Sequence, residues 1–309
     1  AEMIEVGKQS GVRVHISHFK IAGRENWNRI DGVLAMIAQA QAEGIRVTAD
    51  QYPYIAGSTM LGAILPPWAH AGGVEETLKR LASAEEREKM RAAMLDRTPS
   101  QWDNFWKWSG PKGIVIPDIP SGNHPEYLGK NLSQAAGLRN QTDTVSEADA
   151  VEFAFDLLLG ERMGVGMISF SQSEEVVCKI MQQPYVNVCT DGLLGGKPHP
   201  RAYGTYPRIL GRYVREQNLL SLPEAVRKMS GLAAETFQLR GYGKIEDGAQ
   251  ANLVVFDPQR VIDCATFEDS KQFPKGIEHV VVEGQLAIRN GESYLPGHGK
   301  AVRRTETEP

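Results

Sequence analysis

Cysteine is scarce in this chain: Cys178, Cys189 and Cys264 are the only three in 309 residues. They show no CxxC spacing and are odd in number, which excludes a disulfide framework and any zinc knuckle readable from spacing. They are expected to be buried, reduced thiols. Long apolar runs are also missing. None approaches the roughly 20 residues a spanning helix needs, and "AEMIEVGKQSG" at the start has no charged-then-apolar signal pattern. A membrane partner is therefore not expected, and a cytoplasmic location is the default. Charge of one sign is lacking as well. The net charge of −4 is spread through the chain, and the basic cluster near one end, Lys300 with Arg303 and Arg304, sits beside "TETEP", read as a loose tail. Nucleic acid is not an expected partner.

What remains, 41% hydrophobic and 23% charged residues, is the profile of a globular protein with a sizeable core. "VRVHIS" at Val12–Ser17 alternates like a strand, and "RIDGVLAMIAQAQAEG" places Val33, Ile37 and Ala40 with Leu34 on one helical face before Gly44 stops it. "IRVTADQY" reads as a second strand. Strand, helix and strand within about 40 residues make a βαβ unit with parallel strands. A Pro- and Gly-rich loop follows, then a charged helix from about Val74 to Leu95, then "QWDNFWKWSGPKG", whose aromatic residues are expected to form a small satellite core. The α/β pattern resumes with "SEADAVEFAFDLLLGER", where Ser146 and Asp149 fit an N-terminal turn, and with the apolar run "GVGMISF". A buried strand "YVNVCTDG" leads into a Gly-rich loop. After Gly241 the texture changes to short strands.

In a parallel α/β protein the site lies beyond the C-terminal ends of the strands. On the first strand His18 and Lys20 share one face, and His15 has the opposite parity and is expected only to pack. The second strand ends at Asp50, Tyr52 and Tyr54, followed by Ser58 and Thr59; the third ends at Asp191. A carboxylate there serves as a general base or metal ligand, and a turn-forming Asp-Gly is the alternative. Arg201 in "HPR" suits a substrate carboxylate or a structural ion pair. Together these residues point to metal-assisted hydrolysis of an anionic small molecule.

The stretches "ISHFK…GRENW", "TADQYPYIAGSTML", "TDGLLGGKPHPRAYGTYPRILGRYVRE" and "GKIEDGAQANLVVFDP" resemble the N-acyl-D-amino-acid deacylases (D-aminoacylases) of the amidohydrolase superfamily. The likeness runs over nearly the whole chain and is least distinctive at about residues 97–145. It implies an α/β fold: a TIM-type (β/α) barrel, a small β-sandwich, a zinc centre and an inserted subdomain that lids the site. By the same resemblance His18 corresponds to a zinc ligand, and Asp191 to the catalytic aspartate and a further metal ligand. Lys20, Tyr52, Ser58 and Arg201 correspond to positions that hold the carboxylate of an N-acyl-D-amino acid.

The family's His-x-His pair, metal-binding cysteine and Thr-His-Met-Arg histidine find no counterpart ahead of "ISHFK", and about three barrel strands are readable where eight are required. The resemblance therefore implies a partial barrel over residues 1–240, with the insert at about 60–145 and part of the sandwich over 241–309, the N-terminal half of the barrel being a missing partner. A cyclic amidohydrolase of the hydantoinase or dihydroorotase kind is the rival enzyme reading, and "YPYIAGST" with "HPR" argues against it. A catalytically inert fragment is the rival from another class.

Overall fold

A computed structural model describes residues 1–98, 101–294, 297 and 299–303. Arg304 and the "TETEP" tail lie outside the described residues. Ten strands form three sheets among those described: β1 Val14–Ile16, β2 Val47–Gln51, β3 Ala56–Met60, β4 Ile114–Val115, β5 Gly166–Phe170, β6 Val186–Val188, β7 Leu253–Phe256, β8 Ile277–Val282, β9 Gln285–Arg289 and β10 Glu292–Ser293.

The first sheet has the order β1-β2-β6 and is parallel throughout, with Val14 opposite Val47 and Ala49 opposite Val186. Alternation sorts its side chains. Val14, Val47, Ala49 and Val186 pack against Ile37 and Ala40 of helix Ile30–Ala42 and against Val176 and Ile180 of helix Glu174–Met181. Gly44, at φ 85°, turns the chain out of the first of these helices. The opposite face is polar. His15 lies there, its Nδ1 2.9 Å from Thr48 Oγ1 and its Nε2 2.8 Å from Asp50 Oδ2, with its ring edge-on to Phe237. His15 is therefore more than a packing residue, because its parity turns it toward a buried carboxylate.

The second sheet, β3-β5-β4, is antiparallel and lies in the segment between β2 and β6, called the insert below. "GVGMISF" is β5 of this sheet and not a further parallel strand. The insert has its own core, running from Leu61 to Met167 and including Trp106 at 0% exposure. The strands of this sheet lie within Ala56–Phe170. The charged segment is two helices, Val74–Ala82 and Ala84–Leu95, separated at Ser83, whose hydroxyl accepts from Glu86 N–H at 3.4 Å. Ser146 and Asp149 cap helix Glu147–Gly160 reciprocally.

Two helical runs, Arg201–Glu216 and Leu222–Phe237, widen to π-type turns at Ile209–Glu216, two residues after Pro207, and at Arg227–Gly231. Ile209, Leu210 and Tyr213 of the first pack with Val177, Met181 and Val188. The last sheet has the order β10-β9-β8-β7 and is antiparallel. Both of its tight hairpins have two central residues at positive φ, Glu283-Gly284 and Asn290-Gly291, the geometry that matches strand twist. The three cysteines are unpaired and only partly buried, which corrects the expectation of buried thiols. Replacing Trp106 by Ala is expected to cost about 3–5 kcal/mol in chemical denaturation; a loss under about 1 kcal/mol would contradict its place at the centre of the insert's core.

Candidate active site

β1 ends at Ile16, so its alternation does not extend to His18. His18 instead adopts φ 43°, and its N–H donates to Asp50 Oδ1. Burial by itself would raise the Asp50 pKa, but hydrogen bonds from His15, Cys189 and the His18 N–H outweigh it and hold the carboxyl below its ordinary value. This turn, not strand parity, presents His18 and Lys20. Lys20 Nζ lies 2.7 Å from His18 Nδ1 and donates to the His18 carbonyl at 3.0 Å. Burial lowers the Lys20 pKa, with Asp191 partly opposing the shift.

Tyr52 follows β2 and is 2% exposed. Its hydroxyl accepts from Gln172 Nε2 at 3.1 Å, and burial pushes its pKa up to about 12, so it stays a neutral phenol. The Arg201 guanidinium lies 4.4 Å from the centre of its ring. Arg201 is 1% exposed, donates through Nη2 to the Ser58 carbonyl at 3.2 Å, and holds Asp191 Oδ2 at 2.8 Å from Nη1. Nε is a buried donor without an acceptor, and Nη1 is met only by the Asp191 carboxylate. Asp191 sits at φ 45°, and Gly192 brings the chain so near Ala202 that a Cβ would lie 3.2 Å from its Cα.

His199 was not anticipated from sequence, although the "HPR" motif contains it. It is 1% exposed; its Nδ1 accepts from Arg201 N–H at 3.0 Å and its Nε2 donates to the Ala56 carbonyl at 3.0 Å. The ring thus links β3 to the start of helix Arg201–Arg208. Burial, reinforced by the Arg201 charge, drops its pKa to about 3.

His18, Lys20, Tyr52, Ser58, Asp191 and Arg201 all line one cavity of about 840 Å³. The insert contributes Phe105 and Trp108 to the same wall, whereas Trp106 between them is core. The aromatic segment is thus only in part a satellite core. The arrangement offers a buried guanidinium and a half-buried ammonium for an anion, with a carboxylate beside them able to accept a proton.

Residues 186–288 match the model of the Amidohydrolase family. Particular relatives extend the likeness to nearly all of the chain. It is 34% identical over 298 residues to an N-acyl-D-glutamate deacylase of Alcaligenes xylosoxydans xylosoxydans, covering 96% of this chain and 50% of that protein. It is 33% identical to a D-aminoacylase of the same organism, covering 98% of this chain and 51% of that one. The crystal structure of an N-acyl-D-glutamate deacylase from Bordetella bronchiseptica, complexed with zinc and a phosphonate inhibitor, superimposes with a TM-score of 0.70 at 29% identity, covering 98% of this chain and 52% of that one. The resemblance read from the sequence motifs is thereby borne out, and the proteins resembled are enzymes. The chain spans about half the length of the relatives it matches.

Zinc takes three or four protein ligands in such sites. Among the described residues no group of three or more His, Cys, Asp or Glu side chains could hold a metal. Lys20 Nζ occupies His18 Nδ1 at 2.7 Å, so Nε2 is the nitrogen of that ring that could serve a metal. The described residues of this chain do not by themselves fit a zinc site.

Because His199 is buried neutral, unfolding below about pH 6.5 adds a proton that the folded state refuses. Its stabilising effect is complete above that pH and is lost as pH falls toward about 3. Stability should therefore fall by up to about 1.4 kcal/mol per pH unit across that window. In NMR the His199 ring carbons should not titrate between pH 4 and 8; a midpoint near 6.5 would contradict the assignment.

Proposed function

We propose that this chain carries the carboxylate anchor and the general base of an N-acyl-D-amino-acid deacylase. The observation that carries the reading is Arg201: a buried guanidinium whose Nε has no acceptor and whose Nη1 is met only by the Asp191 carboxylate, flanked by Lys20 and Tyr52, on the wall of the cavity that also holds Asp191. An α-carboxylate placed there would accept from Arg201 and Lys20 and from the Tyr52 phenol. The Ser58 carbonyl keeps Arg201 in place.

With the carboxylate fixed on one wall, the acyl carbonyl lies within reach of a water beside Asp191. The aspartate takes the water's proton as oxygen adds to the carbonyl carbon, and returns it to nitrogen as the C–N bond breaks. The products are a carboxylate and a D-amino acid. Preference for the D form rests on the resemblance to the named deacylases.

His18 and Asp191 are this chain's two candidate ligands to a zinc ion whose other ligands would come from residues outside these 309. The three parallel strands are read as an arc of a (β/α) barrel that such a segment would complete. That the chain covers half of each relative supports both statements.

Calorimetric titration should show N-acetyl-D-methionine binding at least about tenfold more tightly than its uncharged carboxamide, because charge-assisted bonds to carboxylate are worth roughly 1.5–3 kcal/mol. R201M should abolish that difference. Equal binding of acid and amide by the unaltered protein would overturn the anchor. With the barrel complete, D191N should lower turnover at least about a hundredfold while substrate still binds; near-normal turnover would remove Asp191 as the base.

A further inference from the structure

Nearly equal likeness to relatives named for different substrates, 34% and 33%, does not choose a side chain for the substrate. The cavity does. Helix Phe105–Ser109 is pinned on three sides. Trp106 is sunk in the insert's core, Ser109 Oγ lies 2.7 Å from Ser169 Oγ on β5, and the fully buried Asn104 accepts from Lys107 N–H at 3.0 Å while donating to the Met94 carbonyl at 3.1 Å. Positions three apart share a helix face, so Phe105 and Trp108 emerge together into the cavity. Their ring centres are 5.0 Å apart. Trp108 also lies directly on the loop that follows Lys20: a Cβ at Gly23, itself at φ 84°, would come within 2.5 Å of Trp108 Cδ1. The aromatic wall is thus held at a fixed distance from the carboxylate anchor. Ile21, Ala22, Val33 and Leu193 continue it as apolar surface.

Charge points the same way. The cations lining the cavity are Lys20, Arg201 and Arg29. The first two belong to the anchor. Arg29 is exposed, faces Asn26 Oδ1 at 3.4 Å, and shares the cavity with the exposed Asp103, whose charge opposes any second anion. A second carboxylate would therefore lose water against indole and aliphatic carbon and meet only the solvated Arg29, whose pull Asp103 in the same cavity opposes.

We infer that the cavity selects N-acyl-D-amino acids with a bulky apolar side chain, aromatic above all, and discriminates against those with an acidic one, Phe105 and Trp108 forming the side-chain subsite. The inference rests on the deacylase reading above. The test compares calorimetric binding of N-acetyl-D-phenylalanine, N-acetyl-D-glutamate and N-acetylglycine, the last having the anchor and the acyl group but no side chain. In the unaltered protein the phenylalanine compound should bind about tenfold or more tightly than either of the others. In W108A, or in F105A should W108A fail to fold, the ratio of phenylalanine to glycine affinity should fall toward one. Binding of the glutamate compound equal to or tighter than that of the phenylalanine compound overturns the subsite and leaves the deacylase reading standing. Unchanged ratios in a folded W108A also overturn it. If none of the three binds, the deacylase reading fails, and the inference with it.

Discussion

A guanidinium with 1% of its surface exposed has lost nearly all its water, and removing an ion from water costs several kcal/mol unless partners replace the lost contacts. For Arg201 the partners come from three parts of the chain that are distant in sequence: Asp191 after β6, the Ser58 carbonyl on β3 and the face of Tyr52 after β2. Their placement fixes how the insert's sheet meets the parallel sheet. His199 works in the same space by staying neutral, since an imidazolium beside Arg201 would add a second enclosed positive charge. The Nε donor that Arg201 leaves unused is an energetic cost that a bound anion would relieve.

Asp50 is the second tie. It stands on the polar face of the parallel sheet and gathers His15 and the His18 N–H, setting the left-handed turn that swings His18 and Lys20 into the cavity. The loop after Asp191 is tied to the insert in turn, since Lys197 N–H donates to the Pro117 carbonyl at 2.7 Å. The insert therefore shares in building the site, through this loop and through the wall of Phe105 and Trp108.

Much of this was legible in the sequence because it is local. The βαβ unit, the reciprocal cap of Ser146 with Asp149 and the switch to short strands after Gly241 follow from periodicity and capping chemistry within a few residues. The six residues singled out from strand ends and motifs line one cavity. What escaped depends on distant partners. "GVGMISF" is a short apolar run, and such a run does not say whether its neighbours are parallel or antiparallel. His18 breaks strand parity because of a carboxylate 32 residues away. Trp106 and Trp108 differ in fate only through the placement of a five-residue helix.

The proposal of an anchor and a base on this chain, with most of a metal's ligands elsewhere, predicts that binding and turnover separate. The most direct measurement is zinc content and N-acetyl-D-amino-acid turnover, alongside ligand binding, on the purified 309-residue chain alone. The expected result is ligand binding with well under one zinc per chain and no turnover. About one tightly held zinc per chain, with hydrolysis of N-acetyl-D-amino acids, would contradict it.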